Sequence, residues 1–277
     1  MSFTPIIPLS GYSGWVMLNK TMEPQLTTFS TSAQNQNLED YFREKIGTVN
    51  SAEELVSDRR LLTVALGAFG LDNDINSKYF IKKVLDEGTL DEAAFSNKLA
   101  DKTYYNLSAA FGFGDYDTPL SQQEGFADSI LQKFEQRQFE VAVGDVNESY
   151  RIALTAEREL PAIAEKTLNE NTKWYSIIGS KSLSSFMRTA LSLPEAISSL
   201  DVDQQITIYK NKAKEAFGTD VLSDILADGG LEHLTRNYVI RAELVDGVTS
   251  STSTSPALTL LQGQANSSGD SILSLLL

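Results

Sequence analysis

Ser51-Ala52-Glu53-Glu54-Leu55-Val56-Ser57-Asp58-Arg59-Arg60-Leu61-Leu62-Thr63-Val64-Ala65-Leu66-Gly67-Ala68-Phe69-Gly70 carries the start and the stop of a helix. Ser51 with Glu54 is a capping box, in which the hydroxyl accepts from the third helical amide and the glutamate reaches back. Leu55, Leu62, Leu66 and Phe69 then recur at intervals that a 3.6-residue turn places on one face. Gly70 can take the left-handed conformation that ends a helix. The spacing predicts a single helix up to Phe69.

The same pattern extends in both directions. Upstream, Gly11 to Phe29 sets Trp15, Leu18, Met22, Leu26 and Phe29 on one face, with Pro24 expected to kink or split the helix. Leu38, Tyr41, Phe42 and Ile46 form the next apolar face. Downstream, Asn76 to Glu87 reads as a helix closed by Gly88. Asp91 to Ala110 reads as one or two more, ending in Phe111-Gly112-Phe113-Gly114. Ser121-Gln122-Gln123-Glu124 is a second capping box and opens the longest run, from Gln122 to about Asn169. Phe126, Ile130 and Phe134 begin its stripe, and Val146, Tyr150, Ala153 and Leu154 resume it. Gly144 and Pro161 lie inside, and the joint is expected near Pro161. Shorter helices follow over Thr172–Ile178, Leu183–Leu191, Pro194–Leu200, Asp203–Phe217, Val221–Ala227 and Leu231–Val245.

No stretch alternates as a strand does. The expected fold is all-α and multihelical, with two helical clusters joined by a long kinked helix. Residues 1–120 form the N-terminal cluster, 121–170 the connecting helix and 171–247 the C-terminal cluster. Residues 248–277 are expected to form a disordered tail. Ser, Thr, Gly, Asn and Gln dominate there, Asp270 is its only charged side chain, and little can be buried against the entropy of ordering. The tail ends in an apolar tip of Ile272, Leu273, Leu275, Leu276 and Leu277, a candidate anchor for a protein partner.

The composition narrows the function. The 277 residues carry a net charge of −14, which disfavours nucleic acid and anionic membrane surfaces as partners. No segment approaches the run of about 20 apolar residues that membrane insertion requires. The first residues show no basic stretch followed by an apolar one, so no cleavable signal peptide is expected. There is no cysteine, which removes thiolate chemistry and Cys-based zinc sites. The one histidine, His233, reads as a surface or satisfied helical residue.

Asp72-Asn73-Asp74-Ile75-Asn76 starts like a calcium loop, but Ser77 stands at the sixth position and Lys83 at the twelfth. It reads instead as a turn whose side chains cap the next helix. Gly112-Phe113-Gly114-Asp115 lacks the third glycine of a dinucleotide loop and reads as a turn. Asp58-Arg59-Arg60 suggests a structural ion pair, and Trp15 and Trp174 suggest core packing. Ala-Phe-Gly occurs at 68–70, 110–112 and 216–218, from a distant duplication or from repeated Phe-Gly helix endings. No catalytic, cofactor-binding or metal-binding residue is assigned, no cofactor is expected, and the protein is expected not to be an enzyme.

Several segments carry a family resemblance together: Gly14-Trp15 with Gln25 and Phe29; Glu54 to Leu62 running into Ala65 to Leu71; Lys83 to Thr89; Leu99 to Lys102; Ala110 to Gly114; Trp174-Tyr175; Ala190 to Pro194; and Leu200 to Asp203. The set resembles an uncharacterised bacterial family, a domain-of-unknown-function family often encoded beside flagellar genes, over most of Gly11 to Val245. The resemblance implies a multihelical fold and protein partners among flagellar components, with a cytoplasmic or flagellum-associated location. It transfers no catalytic residue. The cysteine-free, acidic, helical composition matches that of flagellar axial proteins, although no heptad-rich pair of termini that would zip into a filament core is visible. Two alternatives stay open: a cytosolic regulator or export chaperone that binds a partner protein, and an enzyme of unknown reaction.

Overall fold

The computed structural model describes residues 3–99 and 101–249. Among these the protein is all-α and without strands. The first seven helices are α1 (Gly11–Ser30), α2 (Ala33–Lys45), α3 (Ala52–Ser57), α4 (Arg59–Phe69), α5 (Lys78–Glu87), α6 (Phe95–Lys98) and α7 (Thr103–Phe111). The next are α8 (Phe126–Val146), α9 (Glu148–Ala164), α10 (Glu170–Gly179) and α11 (Lys181–Ala190). The last are α12 (Val202–Phe217), α13 (Leu222–Leu226) and α14 (Gly230–Thr249).

Ser51 caps as expected, its side chain accepting from the Glu54 amide, but the Glu54 carboxylate reaches one residue further back than the Ser51 amide and accepts from the Asn50 amide at 2.8 Å. The helix it opens, however, stops at Ser57. Asp58 is extended (φ −88°, ψ 107°), and its carboxylate accepts from the Arg60 and Leu61 amides, so one predicted helix becomes α3 and α4. An aspartate able to satisfy the free amides of a new first turn lowers the cost of such a break.

The long run is also interrupted, at Asn147 (φ −152°, ψ 104°) and not at Pro161. The Asn147 side chain accepts from the Tyr150 amide and starts α9 afresh, while Pro161 is accommodated inside α9 near its end. Ser121 does not cap the run. It is buried in a 3-10 turn (Leu120–Gln122), its hydroxyl donates to the Val49 carbonyl at 3.3 Å, and α8 begins later, after Gly125. Pro24 lies within an unbroken α1, and Pro194-Glu195 opens a 3-10 turn where a helix was expected.

Two hydrophobic cores organise these helices. The first gathers Phe42, Leu55, Leu62, Leu66, Ile81 and Phe111 around Phe126, Ile130 and Phe134 of the first half of α8. The second begins at Phe139 and Val143 in the second half of α8 and takes in α9 to α14, with Trp174 and Phe186 fully buried. At about 1.5 Å per residue, the 21 residues of α8 span roughly 31 Å, enough to belong to both cores. The cores do not follow chain order. Trp15, Leu18 and Phe29 of α1 sit in the second one, with Trp15 against Tyr150 at 5.8 Å between ring centroids.

The three Ala-Phe-Gly repeats have one chemistry in common. Gly70, Gly112 and Gly218 each follow the last residue of a helix with φ near +70° (73°, 66° and 78°), a conformation glycine adopts without a Cβ clash. At the chain's far end, α14 runs through Thr249, so Val248 and Thr249 are helical where the tail was expected to begin. The rest of that tail, with Ile272, Leu273, Leu275, Leu276 and Leu277, lies outside the described residues.

Candidate protein-contact surface

Helix α5 ends at Gly88 and α7 ends at Gly112, and the loops that follow them meet. Asp115 makes the joint. One of its carboxylate oxygens accepts from the Thr89 amide at 2.6 Å and the Leu90 amide at 2.9 Å. The other accepts from the Thr89 hydroxyl at 2.8 Å. The buried Ser96 hydroxyl donates to the Gly88 carbonyl at 2.6 Å, and the Asn97 amide group donates to the carbonyls of Thr89 and Asp91, both at 2.8 Å. The backbones touch at Gly114, where a Cβ would lie 2.3 Å from the Asp86 carbonyl oxygen. A loop pair with this many bonds is held in one conformation.

That rigid frame presents apolar side chains to water. Leu90 is 68% exposed and Tyr116 is 49% exposed, with the Tyr116 ring leaning over Gly112. Exposed Asp91, Glu92 and Asp117 flank them in sequence. Isolated apolar side chains on a surface are ordinary, but two on adjoining loops tied by a shared carboxylate make a candidate contact surface. In the sequence, the second loop is visible only as a turn. The signal for the pairing is that Gly88-Thr89 and Gly114-Asp115 both follow helix stops.

The other singled-out residues have structural places. His233 is exposed, 3.3 Å from the Asn237 side chain and edge-on to Phe217. Asp58 is a helix cap that also accepts from the Tyr41 hydroxyl at 2.5 Å, and Arg60 stacks over the Tyr41 ring at 3.7 Å. The expected ion pair is thus a cap and a cation–π stack. Asp72 and Asp74 do not cap α5. They accept from Gln138 of α8 at 2.6 Å and from Tyr104 of α7 at 2.7 Å, tying the turn to its neighbours. Trp15 and Trp174 are buried, and the Trp174 indole donates to the Asp220 carbonyl at 3.0 Å.

A buried charge network joins α8 to α9. Arg158 grips Glu140 through two nitrogens at 2.7 and 2.9 Å, and Thr155 donates to the same carboxylate at 3.2 Å. Glu159 then bridges Arg158 and Arg137 at 3.1 and 3.0 Å. Elsewhere, burial on α2 pushes Glu39 up from 4.5 to about 7, reinforced by the charge of Glu135 on α8, which also hydrogen-bonds it. Arg43 opposes the shift and Asp40 adds to it.

Because folded Glu39 keeps a proton that the unfolded chain has already lost, stability falls as pH rises from about 4.5 to about 7. Glu39→Gln should flatten that decline. Compared with the native chain in urea titrations, it should be unchanged at pH 4 and more stable at pH 8 by about 1–2 kcal/mol.

Among the described residues, no group of three or more His, Asp or Glu side chains is placed to hold a metal ion, and no helix is long and apolar enough to cross a membrane. A cleft of about 340 Å³ lies between α10 and α12, lined by Asn171, Tyr175, Asp203, Lys210 and Asp220. These polar groups engage one another. Tyr175 donates to Asp203, and Lys210 meets Asp220 at 3.1 Å and Asn171 at 2.9 Å. A second, apolar cleft of about 320 Å³ lies where α9, α13 and α14 meet.

Residues 68–228 match the model of a family described as protein of unknown function DUF1217. The chain belongs to that family. The matched span holds the Asp115 loop pair, α8, α9 and the charge network, whereas α1 and α14 lie outside it. The fold is similar to the crystal structure of protein AGR_C_984 from Agrobacterium tumefaciens, at 26% identity and a TM-score of 0.67. That similarity covers 85% of this chain and 97% of the other. No curated protein matches the sequence.

Proposed function

We propose that this DUF1217 chain is a non-enzymatic protein that works by protein–protein contact in the assembly or motility of the bacterial flagellum. The observation that carries contact as its mode of action is the Asp115 frame. Hydrogen bonds to both oxygens of one carboxylate fix a loop pair whose outward side chains, Leu90 and Tyr116, are apolar and exposed. Holding a surface loop this firmly lowers the entropy cost of binding, which favours a preorganised contact site. The acidic rim and the net charge of −14 favour a partner with basic character.

Support for the flagellum comes from the resemblance to a family encoded beside flagellar genes and from the cysteine-free, acidic, helical composition. Deleting the gene in its host should impair swimming. Fractionation of tagged chain should then place it with isolated basal bodies. Normal swimming in the deletion strain would remove the flagellar reading. Recovery only in the soluble fraction, bound to a client, would favour an export chaperone.

A further inference from the structure

We infer that the apolar cleft where α9, α13 and α14 meet docks an amphipathic helix of a partner protein, one whose apolar face is flanked by lysine or arginine. The site is separate from the Asp115 loops, and neither reading depends on the other. Pro161 and Ala164 of α9, Leu226 of α13, Ala227 just after it and Leu231 of α14 line the cleft. Pro161, Ala164, Leu226 and Leu231 are half-buried and Ala227 is exposed, so the second core leaves apolar surface uncovered here. The wall is fixed at the turn into α14, where a Cβ on Gly230 would overlap the Ile225 carbonyl.

Charge selects the occupant. Glu165 lines the cleft, and Asp224, Asp228 and Glu232 each directly follow a lining residue in sequence; all are exposed. Lys166 stands against them, but the arginines of the same helices are engaged elsewhere. Arg158 is held by Glu140 and Glu159, and Arg236 lies over the Tyr12 ring at 5.3 Å. An apolar floor inside an acidic rim is complementary to an apolar helix face with basic flanks. The same acids disfavour nucleic acid and anionic lipid.

Another acid lies one turn away. Glu157 precedes Pro161 by one turn on α9 and Thr235 follows Leu231 by one turn on α14, so both continue the faces that line the cleft. Burial pushes the Glu157 carboxyl up, the Thr235 hydroxyl opposes the shift and the charge of Glu232 adds to it. The Thr235 hydroxyl is itself buried and closes no full hydrogen bond. A lysine or arginine head seated here would ease the repulsion between the two carboxylates, and its alkyl stem would cover Pro161 and Leu231. Since Glu157 meets Thr235 and Pro161 lies nearest Leu231, the two helices run antiparallel and leave a groove along which a third helix can lie.

The test selects ligands for the full chain from a displayed library of random peptides about four helical turns long. Enriched peptides should share apolar residues at i, i+3 or i+4, and i+7, flanked by lysine or arginine. Ala227→Glu blocks the cleft yet adds an acid, so it should weaken their binding about tenfold or more, whereas mere attraction to an acidic surface would strengthen it. Glu157→Gln with Glu232→Gln leaves the cleft open and should weaken binding several-fold and reduce its salt dependence. Leu90→Ser with Tyr116→Ser should leave binding unchanged. Failure to enrich any peptide, enriched peptides without basic residues, or equal binding to the native chain and Ala227→Glu would each overturn the inference. So would self-association of the chain that Ala227→Glu abolishes, since the occupant would then be a second copy.

Discussion

Glu140→Ala is expected to lower stability by about 3–5 kcal/mol, among the largest effects any single substitution here can have. The Glu140 side chain is 7% exposed and that of Arg158 is 19% exposed. Removing the carboxylate takes away two of the three hydrogen bonds that hold the Arg158 guanidinium and leaves Glu159 as the one carboxylate between two largely buried arginines. Glu159 offsets only part of this, because its one negative charge is shared with Arg137. The Thr155 hydroxyl loses its acceptor at the same time.

The network ties α8 to α9 just where the chain breaks at Asn147, so the loss should appear as a cooperative shift in the urea midpoint for the whole domain. Replacing Glu140 and Arg158 together with methionine should cost far less, since an intact apolar pair leaves no stranded charge. A single-mutant loss below about 1 kcal/mol would mean that water reaches the network freely.

Gly114→Ala should be the most damaging change at the contact surface. The added Cβ would lie 2.3 Å from the Asp86 carbonyl oxygen and 2.4 Å from the Gly88 amide nitrogen, and both are backbone atoms that cannot rotate away. The loops must separate, which carries Asp115 out of reach of Thr89 and Leu90. Overpacking of this kind costs about 1–3 kcal/mol, and the upper end is expected here because three hydrogen bonds are lost with it. Amide exchange should accelerate at Thr89 and Leu90 while the α8 core keeps its protection. Unchanged exchange there would show that the loops are not held by this contact.

Helix existence was largely legible in the sequence, because a 3.6-residue apolar period survives any tertiary arrangement. Helix ends were less so. Asp58 and Asn147 break helices that periodicity alone would continue, since each side chain can cap a new first turn, and that choice depends on neighbours such as Tyr41. Ser121 is not a cap because the chain folds there into a 3-10 turn packed on Val49, whose carbonyl accepts from its hydroxyl, and α8 starts only after Gly125.

The contact surface was half visible. The glycines marked two turns, but only folding brings Asp115 to Thr89, 26 residues earlier in the chain. The placement of α1 in the second core was likewise hidden, because an amphipathic face states that a helix is buried and not against what.

The central claim is that Leu90 and Tyr116, on their Asp115 frame, are where this protein meets its partner in motility. It is tested most directly by swimming in a deletion strain complemented with either the native gene or a Leu90→Ser, Tyr116→Ser double variant. Both side chains are exposed, so the variant should fold and accumulate as the native chain does. The native gene should restore the swimming halo and the variant should not. Full restoration by an equally abundant variant would contradict the claim.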